Sequence, residues 1–334
     1  MKRWRLLFGL FFAAVLLHTA PARVAAQPLK KLNLSYTATS PYQAVIVIAK
    51  EAGIFRKHGL DVTLIFMAGG SLGIQAMVSG DVPITQADGS ASVGASVAGI
   101  DTVMVGSFAN TFPYSLVSLP EIKTVEQLKG AKIAISRFGS ATDLSVKMAL
   151  AKVGLNPERD VTLLQVGAQT ARAAALQSKN VQATIITPPY TLTARKQGYN
   201  TLIDMAQLNL PYQLTALVTS RAFVKAHPEV ISAVIRASSE AIHFYKTQKE
   251  PSLKILGKYL QTNDREALEE TYREVSLKAV PDKPYPTLAG VQTIIDELAA
   301  KNPKLKSAKP EDFVDMSFVK QLDDEKFFDK LYKR

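Results

Sequence analysis

The chain of 334 residues contains no cysteine. That excludes disulfides, thiolate metal sites, cysteine nucleophiles and a lipid-modified cysteine at an export cleavage site. The sole tryptophan is Trp4, and the four histidines are His18, His58, His227 and His243. They lie far apart and lack H-E-x-x-H spacing, so no metal centre and no cofactor motif is expected. No arginine-rich run is present. The formal charge is +11, of which four positive charges belong to Lys2, Arg3, Arg5 and Arg23; 36 basic and 29 acidic residues remain, about +7. Nucleic-acid binding needs a clustered basic footprint, and these charges are spread along the chain. They make a basic, solvated surface with a general attraction for anions, and no nucleic-acid partner is expected. Beyond residue 17 no stretch approaches the roughly 20 apolar residues that a membrane helix requires.

The first 26 residues have the layout of a secretory signal peptide. Lys2, Arg3 and Arg5 form a basic start, Leu6 to Leu17 is apolar, and Val24-Ala25-Ala26 supplies small residues before Gln27. Cleavage near Ala26/Gln27 is expected. With no cysteine to lipidate, the product is expected to be a soluble periplasmic protein, not a lipoprotein.

From Leu32 to Asp204 strand-like and helix-like segments alternate. "KLNLSY", "DVTLIF", "VPIT", "DTVMVGSF", "KIAIS" and "DVTLLQV" read as strands. "YQAVIVIAKEAGIF", "SLGIQAMVS", "SASVGASVAG", "TDLSVKMALAKVG" and "QTARAAALQS" read as helices. Such alternation predicts parallel sheets covered on both faces, an α/β fold. Beyond about Thr219 the pattern turns helical, through 229–246, 265–276, 290–301 and the C-terminal segment. An internal echo runs through the first part. Asp61–Thr85 aligns without a gap on Asp160–Thr184, with eight of 25 positions identical, beginning with "DVTL" in both. It predicts two lobes of related build.

The common enzyme motifs are missing. Gly69, Gly70 and Gly73 do not make G-x-G-x-x-G, and neither G-x-x-x-x-G-K-[ST] nor G-x-S-x-G occurs. Instead, several strand ends lead through small polar residues into helices. These are Thr39-Ser40-Pro41, Gly69-Gly70-Ser71, Asp88-Gly89-Ser90, Gly139-Ser140-Ala141-Thr142 and Gln169-Thr170. Ligands of parallel sheets bind outside the carboxyl ends of the strands. A helix start there offers free N–H groups and partial positive charge. Each site alone is explained by N-capping, and Ser140 with Asp143 has capping-box spacing. Five at equivalent strand ends point to a shared cleft.

"AKEAGIFRKHGLDVTLI", "GGSLGIQAMVSGDV" and "LKGAKIAISRFGSATDLSVKMALAKVGLNPERDVTLLQVG" resemble the solute-binding proteins of ABC transporters, in the group that handles nitrate, sulfonates, taurine, bicarbonate and thiamine-pyrimidine precursors. "RAFVKAHPEVISAVIRASSEAI" and "PEDFVDMSFVKQL" extend the resemblance over nearly all of the chain after residue 26. It implies a type II periplasmic-binding-protein fold: two lobes with parallel-rich sheets, two crossover strands and a helical C-terminal segment. Lobe 1 would comprise 29–112 and 218–334, and lobe 2 residues 113–217, with crossings near "FPYSLV" and "PYQLTALVT". The implied role is a monomeric receptor, not an enzyme. It would capture a small, anionic organic solute such as a sulfonate or carboxylate, and deliver it to an inner-membrane ABC permease with its cytoplasmic ATPase.

In that cleft, Ser71, Ser140, Thr142 and the N–H groups of Gly70 and Gly139 would hold an oxyanion. Ser40 and Tyr42 would line the first helix start. Thr187 and Tyr190, after the last strand of lobe 2, would close over the solute. Arg137 would be a charge partner, and Asp88 either faces the cleft, favouring an amine, or caps the following helix; Gly89, Ser90 and Gln169 complete the candidates. Pro83 and Gln182 stand where the family often has Asp, and Lys179 where it has glycine. Two alternatives stay open. One is a binding protein for a sensor or a non-ABC transporter. The other is an enzyme like the fungal thiamine-pyrimidine synthases, whose cysteine-rich motif is absent here.

Overall fold

Apolar, β-branched runs form the strands, and small-residue or amphipathic segments form the helices between them. The computed structural model describes residues 28–208, 210–300 and 302–333, so the signal-peptide segment lies outside the described residues. The chain opens with β1 (Lys30–Tyr36), α1 (Ala44–Glu51), α2 (Ile54–Lys57), β2 (Leu60–Phe66) and α3 (Gly70–Val78). It continues through β3 (Ile84–Ala87), α4 (Gly89–Val97) and β4 (Val103–Ala109). A second run follows: β5 (Ser115–Ser118), β6 (Lys132–Ile135), α5 (Ala141–Ala151), β7 (Thr162–Gln165), α6 (Gln169–Gln177), β8 (Ala183–Ile186), α7 (Tyr190–Lys196) and β9 (Asn200–Asp204). The chain then returns to β10 (Thr215–Thr219).

Two five-stranded sheets result, ordered β2-β1-β3-β10-β4 and β7-β6-β8-β5-β9. Within each, four strands run in one direction, and the fourth in order is antiparallel to both neighbours. That antiparallel strand is in each case the first one after the chain changes sheets, through residues 110–114 and then 205–214. Both sheets are mixed, each with four strands running one way and one against them, as the two-lobe fold requires.

The echo in the sequence is an echo in space. One constant offset carries α3 onto α6 and β3 onto β8. It also carries the pairing of Leu34 with Ile84 onto that of Ile133 with Ala183. The same offset relates two local bonds. Gln43 Oε1 accepts from the Thr37 N–H at 2.8 Å, and Thr142 Oγ1 accepts from the Ser136 N–H at 2.9 Å.

The remaining chain is helical: α8 (Arg221–Ala226), α9 (Pro228–Thr247), α10 (Lys249–Leu260), α11 (Arg265–Thr271), α12 (Leu288–Ala299), α13 (Ser317–Asp324) and α14 (Phe327–Tyr332). Pro228 starts α9, where a missing N–H costs nothing. Its buried face, including Val230, Val234, Ile235, Ile242 and Tyr245, packs on α1 and anchors the helical segment to the first sheet. Each fully buried Ile or Leu there contributes about 1.5–3 kcal/mol. One expected helix differs: 265–276 is α11 up to Thr271, then a π-helix over Tyr272–Ala279. In that wider turn the Tyr272 and Ser276 hydroxyls donate to the Lys246 and Tyr245 carbonyls of α9, at 2.7 and 2.9 Å.

Candidate functional site

The carboxyl ends of β1, β3, β6 and β8, and the helix starts that follow them, converge on one cavity between the sheets. It is small, about 40 Å³, because the two halves nearly touch. Ser71 Oγ donates to the Phe138 carbonyl at 2.9 Å, Arg137 Nε to the Ala68 carbonyl at 3.4 Å, and the Ser40 and Thr187 hydroxyls meet at 3.4 Å. Further out, Arg195 and Lys196 of α7 face Glu270, Asp264 and Glu266 across the gap.

Eight expected residues line the cavity: Ser40, Tyr42, Gly70, Asp88, Ser140, Thr142, Gln169 and Thr187. Six do not. Ser71 and Arg137 are spent on the contacts just given, and both are solvent-accessible at the rim. The N–H of Gly139 donates to Asp143 Oδ2 at 2.9 Å, so it is not free for an oxyanion. The Gly89 N–H is taken by the Gln213 carbonyl at 2.9 Å. Ser90 donates to Asp88 Oδ1 at 2.5 Å from behind the site. Tyr190 begins α7, half-buried and outside the cavity, and β9 follows it, so it does not come after the last strand of that sheet.

The hydroxyls that remain are mutually bonded. Ser136, Ser140 and Thr142 lie within 2.8–2.9 Å of one another, and Ser140 Oγ also donates to the Arg137 carbonyl at 2.7 Å. Ser140 occupies the N-cap of α5 without capping it, and neither half of the capping box forms: Asp143 accepts from the N–H of Gly139, one residue before the N-cap, while the Ser140 N–H goes to the Arg137 carbonyl. Thr187 is tied to Gln169 Oε1 through both its N–H, at 3.0 Å, and its hydroxyl, at 3.2 Å.

Two charged groups decide the electrostatics. Asp88 is both things that were considered for it. Its Oδ1 caps α4, accepting from the Ala91 N–H at 3.0 Å, and the group lines the cavity. Burial raises its pKa; hydrogen bonds from Ser90, Ala91 and the backbone at Ala141 draw it back. Gly70 makes the position available, since a Cβ there would stand 2.0 Å from Asp88 Oδ2. Arg172, on α6, was not among the expected residues. It is 4 % exposed and lines the cavity from the other half. Its Nη1 donates to the Gly167 carbonyl at 2.5 Å and its Nη2 to that of Ile185 at 3.1 Å, while Nε has no partner. Burial lowers its pKa to about 10, so it stays charged at neutral pH. Tyr114, on the first passage between the sheets, also lines the cavity and was missed. The signal that could have found Arg172 is the echo, which sets a buried arginine against Gly73.

Comparison with known proteins fits this geometry. Residues 40–251 match the family described as NMT1/THI5 like. The chain belongs to the NMT1/THI5-like family. The matched segment takes in nine of the ten strands, all but β1, and most of the cleft residues, including Asp88 and Arg172. A protein of Brucella abortus is 25% identical over 257 residues, 76% of this chain and 79% of the relative. Among solved structures, one from Bordetella bronchiseptica RB50 has a TM-score of 0.80 at 22% identity, covering 91% of this chain and 98% of that one. The alkanesulfonate-binding protein SsuA of Xanthomonas axonopodis pv. citri, bound to MOPS, has a TM-score of 0.72 at 21% identity, covering 87% and 100%. The NMT1/THI5-like chain therefore has the type II periplasmic-binding-protein fold. Its departures from the family pattern lie away from the cleft. The Pro83 carbonyl accepts from the Thr219 hydroxyl, and Gln182 Oε1 accepts from the Lys132 N–H at the start of β6.

Proposed function

We propose that this protein is a periplasmic receptor that captures a small organic solute carrying an oxyanion and hands it to an inner-membrane ABC permease. The observation that carries this reading is Arg172: a buried, charged guanidinium whose Nε has no hydrogen-bond partner, on a cavity enclosed between strand ends. Guanidinium groups bind carboxylate and sulfonate oxygens strongly because the hydrogen bond is charge-assisted. The sulfonate-binding neighbour supports the same class. A cavity this tight admits a solute only when the halves part. Lobe 1 (29–112 and 218–334) and lobe 2 (113–217) would then open about the passages at 110–114 and 205–214, by the hinge motion common to such folds. The signal-peptide layout supports export, and the alkanesulfonate-binding neighbour supports binding.

A thermal-shift screen of sulfonates, carboxylates, nitrate, bicarbonate, amino acids and pyrimidines tests this. A ligand at about 100 times its dissociation constant should add about 2.7 kcal/mol of stability. The absence of any shift across the panel would count against a small-solute receptor. Trp4 lies in the signal segment, so closure is best followed by small-angle scattering with and without the ligand.

A further inference from the structure

An oxyanion alone leaves half of the cleft unexplained. Asp88 and Arg172 face the same enclosed space from opposite sheets, each almost wholly buried. Tyr114 lines the same cavity: burial and the Asp88 charge push its hydroxyl pKa up, and Arg172 pulls it back. A simple anion would satisfy the unpaired Arg172 Nε and would at the same time be brought against a buried carboxylate. Like charges at close range in a low-dielectric site repel strongly. A simple cation would meet the reverse problem. We propose that the solute is dipolar, with an oxyanion directed to Arg172 and a protonated amine or comparable cationic donor directed to Asp88. This rests on the receptor reading and narrows it: simple oxyanions such as nitrate, bicarbonate and unsubstituted alkanesulfonates are poor ligands.

Gly70 is part of the device. It brings Asp88 Oδ2 into space that any side chain would fill, so the carboxylate comes forward to the cavity while its other oxygen stays bound to Ser90 and Ala91.

The test is calorimetric titration of the full exported chain with matched pairs: β-alanine against propionate, and 2-aminoethanesulfonate against ethanesulfonate. Ethylamine serves as the cationic control. The amino member of at least one pair should bind about tenfold tighter or more than its partner, the scale of a hydrogen bond to a charged group. Asp88→Asn should abolish that preference, and Arg172→Gln should weaken both members. Binding of the simple anion as tight as or tighter than its amino partner in both pairs overturns the dipolar ligand and leaves the receptor reading standing. Binding of ethylamine as tight as that of the amino acids overturns it too. No binding by any of the five probes counts against both. The paired comparison on the unaltered protein decides the matter even if a variant fails to fold.

Discussion

In lobe 1 the helix after β2 begins at Gly70 and carries Gly73 one turn in; in lobe 2 its counterpart begins at Gln169 and carries Arg172 at that turn. The strand that follows ends before Asp88 in one lobe and before Thr187 in the other. Side-chain volume is thus distributed differently on the same backbone plan. Lobe 1 has nothing at the helix start, and Asp88 occupies the space. Lobe 2 has Gln169 there, which holds Thr187 back through two hydrogen bonds. One turn further, a Cβ on Gly73 would come within 2.6 Å of Thr37 Cγ2 and 2.7 Å of Thr85 Oγ1. Lobe 2 instead has room at that turn for a guanidinium. The repeat supplies the scaffold twice, and three pairs of equivalent positions, Gly70/Gln169, Gly73/Arg172 and Asp88/Thr187, give its two copies opposite charge.

The largest effect should come from removing the charged side chain that only lobe 2 has. Arg172→Ala leaves the buried Gly167 and Ile185 carbonyls without their guanidinium donors. Each unsatisfied buried acceptor costs about 1–3 kcal/mol, so urea denaturation should show a loss of about 2–5 kcal/mol. If the loss is under about 1 kcal/mol, Arg172 does not brace lobe 2, and its burial is explained by the ligand alone.

Asp88 sharpens the comparison from the other lobe, through pH. Its pKa is raised in the folded chain by burial, and Tyr114 and Tyr212 are the titratable groups that feel its charge. A carboxyl with a raised folded pKa binds more protons folded than unfolded. Its contribution is therefore fully present below the ordinary carboxylate range and lost as pH rises through the raised value. Asp88→Asn removes that dependence. The Tm of the variant relative to the parent should climb as pH rises above the ordinary carboxylate range. A constant difference would mean that the hydrogen bonds from Ser90, Ala91 and Ala141 fully offset the burial.

The two lobes were not equally legible in the sequence. Strand and helix order could be read through lobe 1 and as far as β8 in lobe 2, because hydrophobic period reports what a sheet or helix buries; α7 and β9 went unread, which is why Tyr190 was set after the last strand. The five polar strand ends marked the cleft, because helix starts at carboxyl ends of strands must lie there. Which groups enter it was harder to read. Ser71 and Arg137 stand beside the cleft in sequence but reach across the rim to the opposite lobe's carbonyls. Arg172 sits within an alanine-rich helix and reads as a surface residue until α6 is superposed on α3. The choice for Asp88 between cap and cleft was not a real alternative, since a carboxylate has two oxygens.

The smallest predicted effect concerns a turn far from the cleft. After α3 the chain turns at Gly80, with φ 86°, and after α6 it makes the same turn at Lys179, with φ 59°. The N–H groups of these two residues bond to Met77 and Leu176, which are themselves equivalent. A side chain in the left-handed region costs about 1–2 kcal/mol, whereas glycine takes it freely but loses more chain entropy, about 0.5–1 kcal/mol. Lys179→Gly should therefore stabilise lobe 2 by up to about 1 kcal/mol, and Gly80→Lys should destabilise lobe 1 by a similar amount. Both substitutions are at the surface, so a shift of the urea midpoint at constant slope reads the backbone term alone. If Lys179→Gly lowers the midpoint, the lysine makes an interaction that its glycine counterpart lacks, and the two turns are alike in shape only.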